Sequence, residues 1–295
     1  MKIKYQKFPR GIYLQNPSLI GVKHQDQFDI LKELFILQNI TFERRYNTAD
    51  ANLDGINCDF VVFFDKDIHL AKSLENKGLA LFNNSSSIEL CDDKAATYLA
   101  VQEVPNVRLI PSIVSPYYYY PERQRDFEFL DLAELRFGYP FILKSTIGSL
   151  GERVFLISNR AEYSEILSNH PFSQVIAQKF IGTSFGRDLR IWVVNHKIVK
   201  TVVRRSEGCG EFRSSITLGG HYEEFRPLTD LEILTVQQIS RALKLDFGTL
   251  DFLFGENEQL LFCEANTNAV FSNLDRNIGQ AIVNHITKVI YDKTK

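Results

Sequence analysis

The chain has 295 residues, of which 44% are hydrophobic and 24% are charged, and its formal net charge is -2. This composition is typical of soluble globular proteins, and the length predicts two or three lobes rather than one small core. The near balance of 34 basic and 36 acidic residues argues against nucleic acid or an anionic membrane as the main partner.

The beginning of the chain lacks the hydrophobic region of a signal peptide, and no stretch approaches the ~20 apolar residues that span a bilayer. The four cysteines, Cys58, Cys91, Cys209 and Cys263, are scattered and form no C-x-x-C pair. We therefore expect free thiols in a reducing environment, without a disulfide framework or a zinc site, and a cytoplasmic location without membrane association.

Residues 1–92 are predicted to form a small α/β unit. Its elements, in chain order, are a helix over 27–38, a strand over 60–64, a helix over 67–74 and a strand over 79–82. The segment 83–87 is rich in residues that cap helix N-termini. We expect a helix carrying Asp93 and Lys94 to follow it.

A connector with four prolines between residues 105 and 121 separates this unit from the next lobe, which begins with a strand over 110–114. The connector also contains the run Tyr117–Tyr120. Because few lysines and arginines surround the run, we interpret it as packing or lobe-interface residues rather than as a platform for stacking bases.

From about residue 139 onward, strands and helices alternate with short loops. The predicted strands are 140–144, 154–157, 175–181, 189–194 and 197–203, and the predicted helices are 161–168, 228–243 and 279–291. The last two of these strands are expected to form a hairpin across Asn195 and His196.

Two apolar runs near the end of the chain, 250–254 and 260–266, predict a further hairpin. Glu264 and Asn266 are two residues apart, so their side chains share one face of a strand. Cross-strand pairing brings Asp251 within about one register step of Glu264. Three oxygen ligands then converge, which predicts a Mg²⁺ site; the alternative is polar strand ends that face water.

A candidate phosphate-binding segment begins at Lys144, which ends a predicted strand, and continues with Gly148, Ser149 and Gly151. A glycine-rich backbone offers free N–H groups to a phosphate, and the ammonium group neutralises its charge. The segment is not a P-loop, because no G-K-[ST] opens a helix. A plain hairpin with glycines in its turn is the alternative.

Arginines in or beside the predicted strands form another group with Asp188. They are Arg190, Arg204, Arg205 and Arg213. Charges in a protein core need partners, and guanidinium groups match the geometry of phosphates and acyl phosphates. Solvated faces of a twisted sheet are the alternative.

The segment Gln178–Ile181 could border an adenine ring, because a strand presents main-chain N–H and C=O groups to the edge of the base. Phe180 and Ile181 would line the slot. Ordinary core strands have the same composition, so this pattern alone is not specific.

Taken in chain order, these motifs resemble the ATP-grasp superfamily, and most closely its RimK-like branch of carboxylate–amine ligases, over about residues 80–290. The resemblance implies an α/β ATP-grasp fold with ATP between the central and C-terminal lobes. It implies three lobes over residues 1–92, 93–178 and 179–295.

The resemblance also implies roles for individual residues. The nucleotide-binding residues it implies are Lys94, Lys144, Gly148, Ser149, Gly151, Gln178, Lys179, Phe180, Ile181, Asp188, Arg190, Ser214 and Ser215. The implied ligands for one or two Mg²⁺ or Mn²⁺ ions are Asp251, Glu264 and Asn266. The implied catalytic residues are Arg204, Arg205 and Arg213.

The implied reaction is ATP-dependent amide formation through an acyl phosphate. An amino acid such as glutamate would be joined to a peptide, a small molecule or a protein C-terminus. The resemblance is also compatible with a homo-oligomer. Alternatives are a peptide-modifying or D-alanine ligase-like enzyme and a non-catalytic nucleotide-binding regulator. Three positions depart from the family pattern: Arg153 replaces a loop glycine, Ser215 replaces Asn, and 266–270 replaces N-x-[ST]-P-G.

Overall fold

The computed structural model describes residues 8–20, 26–48, 57–121, 127–148, 153–207, 212–214 and 220–293. The strands are β1 (Arg10–Gln15), β2 (Thr41–Tyr46), β3 (Phe60–Phe64), β4 (Ala80–Phe82), β5 (Ser112–Val114), β6 (Phe141–Ser145), β7 (Val154–Ile157), β8 (Val175–Lys179), β9 (Arg187–Val194), β10 (Lys197–Arg205), β11 (His221–Glu223), β12 (Phe247–Phe254) and β13 (Leu260–Asn266). The helices are α1 (Asp26–Leu37), α2 (Ile68–Asn76), α3 (Ser85–Asp92), α4 (Lys94–Val101), α5 (Phe127–Phe137), α6 (Arg160–Asn169), α7 (Asp230–Ala242) and α8 (Arg276–Lys293).

The strands form three sheets. The N-terminal sheet has the order β2-β1-β3-β4 and is parallel throughout. The run Phe60–Phe64 is buried at every position, as expected for a strand covered on both faces of a parallel sheet. Parallel strands place their carboxyl ends at one edge, so β3 and β4 both end towards the rest of the molecule.

The other two sheets are antiparallel, with the orders β5-β8-β6-β7 and β11-β10-β9-β12-β13. The predicted hairpin turn at Asn195 and His196 is confirmed, and both residues have positive φ, 48° and 60°, as tight hairpin turns require. In the five-stranded sheet, β9 lies between β10 and β12. Functional side chains on these three strands are therefore neighbours.

The N-terminal sheet and the five-stranded sheet share one core. Phe28 and Leu31 of α1 pack in the same cluster as Trp192 and Phe247 of the five-stranded sheet and Ile286 of α8. Each fully buried large apolar side chain contributes about 1.5–3 kcal/mol. This shared core holds the carboxyl edge of the N-terminal sheet against the five-stranded sheet.

The predicted single helix through Asp93 is wrong, because the chain forms two helices there. Asp93 is extended, with φ -105° and ψ 113°, and it caps α4 by accepting hydrogen bonds from the N–H groups of Ala95 and Ala96. An aspartate at this position favours a new helix start over helix continuation. Lys94 is consequently the first residue of α4.

The packing role predicted for the tyrosine run is wrong for three of its members, since Tyr117, Tyr119 and Tyr120 are 60%, 86% and 61% exposed.

The described cysteines Cys58, Cys91 and Cys263 are free thiols, as expected, and Cys209 lies outside the described residues. In the described part of the chain, no helix combines the length and apolar character needed to cross a membrane.

Candidate active site

Asp251 lies at the centre of the candidate site. It is 1% exposed and pairs directly with Glu264 across the β12–β13 hairpin, which confirms the predicted register. The pairing shifts immediately afterwards, so that Phe252 pairs with Phe262 and Cys263 is an extra residue in β13. A bulge of this kind redirects side chains locally.

Two arginines from the neighbouring strands bind the Asp251 carboxylate. Arg190 donates from Nε to Oδ1 at 2.8 Å and from Nη2 to Oδ2 at 2.6 Å. Arg204 donates from Nη2 to Oδ2 at 3.0 Å. Arg204 also binds Asp188, donating from Nε to Oδ1 at 2.7 Å and from Nη2 to Oδ2. The four side chains form one continuous buried network across β9, β10 and β12.

For both aspartates, burial raises the pKa and pairing with arginine lowers it. Burial alone raises the pKa of Asp251, but the charges of Arg190 and Arg204 outweigh it and hold the pKa below its ordinary value. Burial raises the pKa of Asp188, and the pairing with Arg204 only partly opposes this. The two arginines therefore favour the ionised form of Asp251.

Lys94 and Lys144 form a cationic pair beside the network. The Lys94 ammonium donates to the Gly148 carbonyl at 2.7 Å, and the Lys144 Nζ lies 3.7 Å from Cys263 Sγ. Burial and the charge of Lys144 lower the pKa of Lys94, while Glu264 opposes the shift. Within the described ranges, neither ammonium group has a carboxylate hydrogen-bond partner. Such a pair suits a polyanion such as a triphosphate.

The oxygen groups of the hairpin fit a hard divalent cation. Asp251 pairs with Glu264 across the hairpin, and Asn266 Nδ2 lies 3.5 Å from Glu264 Oε1. Among the described residues, no three His, Cys, Asp or Glu side chains form a group that could hold a metal. A metal here would therefore need the Asn266 amide oxygen beside the two carboxylates, a donor set suited to Mg²⁺ or Mn²⁺.

The other arginines expected from the sequence have different surroundings. Arg205 pairs with Glu223, with Nε 2.7 Å from Oε1, and follows Arg204 on a strand whose neighbours face opposite ways. The structure thus does not bring Arg205 to Asp251. The Arg213 guanidinium lies 5.7 Å from the Phe212 ring centre. Ser214 hydrogen-bonds Asp188, and Ser149, Gly151 and Ser215 lie outside the described residues.

The segment expected to border adenine begins at the end of β8. Gln178 is buried and donates from Nε2 to the Ser112 hydroxyl at 2.9 Å, and the Lys179 N–H donates to the Pro111 carbonyl at 2.9 Å. The β8 strand ends at Lys179, two residues earlier than predicted, and Ile181 precedes a 3₁₀ turn. These contacts anchor the segment where the four-stranded and five-stranded sheets connect.

Cys263 was missed as a site residue by the sequence pattern. Regular alternation would turn its side chain away from the face shared by Glu264 and Asn266. In the structure Cys263 is the extra residue of the bulge, and its Sγ lies 3.7 Å from Lys144 Nζ. Burial raises the Cys263 pKa to about 11. The thiol is therefore neutral at physiological pH and contributes volume rather than charge.

Comparison with known proteins agrees with this geometry. The model of the RimK-like ATP-grasp domain matches residues 107–290. The chain is 31% identical over 265 residues to the "Uncharacterized protein MG012 homolog" of Mycoplasma pneumoniae, covering 86% of this chain and 89% of that protein. It is 32% identical to human N-acetylaspartylglutamate synthase A, covering 72% of this chain but 52% of that protein.

A solved RimK domain ATP-grasp protein from Sphaerobacter thermophilus is similar in fold. The TM-score is 0.68 at 14% identity, and the similarity covers 94% of this chain and 99% of that chain. At this identity the likeness concerns the fold, and it agrees with the expected mixed α/β architecture.

Proposed function

The chain belongs to the RimK-like ATP-grasp family and is an ATP-grasp ligase, and we propose that it joins a carboxylate to an amine through an acyl phosphate. The observation that carries this proposal is the ionised Asp251, paired with Glu264, beside two ammonium groups that lack carboxylate partners among the described residues. Anionic and cationic groups thus stand side by side, as binding of a metal–triphosphate requires.

In the first step, an oxygen of the substrate carboxylate attacks the γ-phosphorus of ATP. The bond from that phosphorus to the β–γ bridging oxygen breaks, so that ADP leaves and an acyl phosphate forms. Lys94 and Lys144 hold the phosphate oxygens and neutralise the negative charge that the reaction redistributes. Positioning and charge stabilisation account for most of the catalysis in phosphoryl transfer.

In the second step, a neutral amine attacks the acyl carbon and forms a tetrahedral intermediate with a negatively charged oxygen. Collapse of the intermediate expels inorganic phosphate, and the amine nitrogen loses a proton to give the amide. Arg204 is held between Asp188 and Asp251, so it is preorganised near this charge, and Arg213 is the second candidate. We do not assign this role to Arg205, because it follows Arg204 on β10, faces the opposite side of the sheet and pairs there with Glu223.

Asp251, Glu264 and Asn266 would hold one or two Mg²⁺ or Mn²⁺ ions, which supply positive charge to the phosphate oxygens. The Arg190 contact with both Asp251 oxygens keeps that carboxylate ionised and fixed in direction. The nucleotide base is assigned to the end of β8, at Gln178, Lys179, Phe180 and Ile181. The phosphate loop is assigned to Gly148, Ser149 and Gly151, and Ser214 and Ser215 complete the proposed nucleotide contacts.

For the substrates we propose an amino acid such as glutamate as the amine and a peptide or small-molecule carboxylate as the acceptor. The support is the 32% identity to human N-acetylaspartylglutamate synthase A, whose name specifies a glutamate-containing product. A protein C-terminus as the acceptor and a homo-oligomeric assembly remain sequence predictions.

The test is ADP release with Mg²⁺ and ATP across a panel of amino acids combined with N-acetylated amino acids, di- and tricarboxylates and acidic peptides. The key variant is Glu264→Gln, which preserves side-chain size and removes the charge. Glu256→Gln is the matched control, because it makes the same exchange in the loop of the same hairpin. We expect Glu264→Gln to lower the rate by about 10²-fold or more and Glu256→Gln to leave it unchanged.

Substrate-dependent ADP release that Glu264→Gln abolishes would support the ligase mechanism and identify the substrate class. Equal rates for Glu264→Gln and the unmodified protein would refute the assignment of the metal site. ATP binding without turnover on any substrate pair would favour the non-catalytic regulator.

A further inference from the structure

Asn83 is a fully buried polar residue outside the site described above. It follows β4 at the carboxyl edge of the N-terminal sheet and is 0% exposed. A side-chain amide has two N–H donors and one oxygen with two acceptor positions, and burial makes each unused position costly. The hydrogen-bond partners of Asn83 therefore show which parts of the fold this side chain connects.

Within the described part of the chain, the hydrogen bonds of the Asn83 side chain go to main-chain groups of the five-stranded sheet region. Its Nδ2 donates to the carbonyls of Phe247 at 2.8 Å and Thr267 at 3.2 Å. Its Oδ1 accepts from the N–H groups of Asp246 at 2.9 Å and Phe247 at 3.2 Å. One side chain from the N-terminal sheet thus joins the start of β12 to the residue that follows β13.

These two attachment points flank the candidate metal ligands. Thr267 directly follows Asn266, and Phe247 begins the strand that carries Asp251. Gly248 packs against the same place, since a Cβ there would lie 2.5 Å from the Asn266 carbonyl oxygen. The main chain at Asn266 is therefore held by Gly248 on one side and, through Thr267, by Asn83.

We propose that Asn83 is a positioning residue for the metal site: through the Thr267 carbonyl and β12 it sets the distance between Asn266 and the carboxylates of Asp251 and Glu264. This inference rests on the metal site of the proposed function. The Asn266 side chain has one described hydrogen bond, at 3.5 Å to Glu264, so its direction depends strongly on the main chain that carries it. Partners that orient metal ligands commonly change metal affinity by about 10–100-fold.

The test compares nucleotide binding with and without metal. The probe is the non-hydrolysable β,γ-imido analogue of ATP, with its Kd measured in EDTA and in Mn²⁺. Free Mn²⁺ is followed by electron paramagnetic resonance in the same samples. Asn83→Asp is the main variant, because it keeps the size and the accepting oxygen but replaces the donor that faces Phe247 and Thr267. Asn83→Ala removes all four bonds.

Asn84→Ala is the matched control. Asn84 donates to the Lys244 carbonyl at 3.2 Å in the same lobe contact and caps α3, but it has no described bond to Thr267 or Phe247. We expect both Asn83 variants to reduce the Mn²⁺-dependent gain in nucleotide affinity, and the Mn²⁺ retained, by about tenfold. The Kd in EDTA should change less than twofold, and Asn84→Ala should leave the gain intact.

Three results would overturn the proposal. A folded Asn83→Asp variant with the full Mn²⁺-dependent gain would refute the positioning role. An equal loss in Asn83→Asp and Asn84→Ala would show a general effect of lobe attachment. Absence of any Mn²⁺ effect in the unmodified protein would refute the metal site of the proposed function itself, and the inference with it. Melting temperatures of all variants identify those that are folded.

Discussion

Arg204 and Arg205 are neighbours on β10, yet the structure gives them different surroundings. Arg204 is buried between Asp188 and Asp251, with its side chain 13% exposed, whereas Arg205 is 40% exposed and pairs with Glu223. Successive residues on a strand face opposite ways, so two identical side chains enter a buried network and a solvated ion pair. Arg204 should therefore contribute more than Arg205 to the free energy of unfolding.

The largest expected effect follows from removing the buried member of this pair. Arg204→Met leaves two buried carboxylates without their shared partner, and we expect the free energy of unfolding to fall by about 3–5 kcal/mol. Arg205→Met should leave the urea midpoint nearly unchanged, because exposed pairs contribute little. Urea unfolding followed by Trp192 fluorescence measures both.

If Arg204→Met does not fold, Arg204→Lys provides the measurement. A lysine keeps the charge but cannot bridge two carboxylates as a guanidinium does, so an intermediate loss is expected. Equal midpoint shifts for the Arg204 and Arg205 variants would contradict the contrast between the two faces of β10.

The two glycines Gly248 and Gly182 extend the contrast to the main chain. A Cβ at Gly248 would meet the Asn266 carbonyl oxygen at 2.5 Å, whereas at Gly182 the nearest atom is a Phe180 ring carbon at 3.7 Å. We expect Gly248→Ala to lower the free energy of unfolding by about 2 kcal/mol, as overpacking does, and Gly182→Ala to change it little. Thermal unfolding of both variants decides the matter, and a Gly248→Ala protein as stable as the original would show that β13 can move aside.

Two lysines offer the same kind of comparison for nucleotide binding. Lys144 is 9% exposed with Cys263 Sγ as its described contact, whereas Lys72 lies on the surface and pairs with Glu89 at 3.0 Å. We expect Lys144→Met to raise the Kd for ATP about tenfold, because a charge-assisted phosphate contact is lost. Calorimetric titration with ATP measures this, and Lys72→Met should bind as the unmodified protein does.

A Lys144→Met protein with unchanged ATP affinity would remove Lys144 from the proposed phosphate site. The Lys72→Met control separates loss of a specific contact from a general change in net charge, since both variants lose one positive charge.

Much of the fold could be predicted where one residue pattern dominates. Phe60–Phe64 and Val154–Ile157 have the predicted bounds, since apolar runs between turn residues are typical of buried strands. Edge strand β2, with the sequence TFERRY, was not predicted, because an edge position tolerates polar residues that hide the period of two. The helix break at Asp93 was missed because aspartates occur within helices as well as at helix starts, so the residue type alone does not indicate a break.

The candidate site was predictable in its residue types and less so in its geometry. The register of Asp251 and Glu264 followed from strand alternation and was confirmed. To predict the different surroundings of Arg204 and Arg205, one must know which face of the five-stranded sheet carries Asp188 and Asp251. Cys263, whose Sγ lies 3.7 Å from Lys144 Nζ, is the extra residue of a bulge, and no local sequence pattern indicates that bulge.

The smallest expected effect concerns an ion pair that is only partly exposed. Glu232 binds Arg226 and completes a capping box with Thr229 at the start of α7. The hydrogen bond from Arg226, followed by the bonds from Thr229, lowers the Glu232 pKa to about 2 from 4.5. Because the folded-state pKa is the lower one, the stabilisation is complete above about pH 4.5 and is lost as the pH falls towards 2.

Glu232→Gln should therefore lower the free energy of unfolding by about 1 kcal/mol at pH 7, the usual size of a capping effect. The difference from the unmodified protein should shrink below pH 4.5, because the glutamate then becomes protonated. Asp230→Asn removes a charge from the same helical turn while leaving the capping box in place. Urea unfolding of the three proteins at pH 7, 5 and 3 gives the comparison. If the difference in the free energy of unfolding stays constant down to pH 3, the charge of Glu232 does not cause it. The shape of the side chain, rather than its charge, would then distinguish this ion pair from the more exposed pair of Arg205.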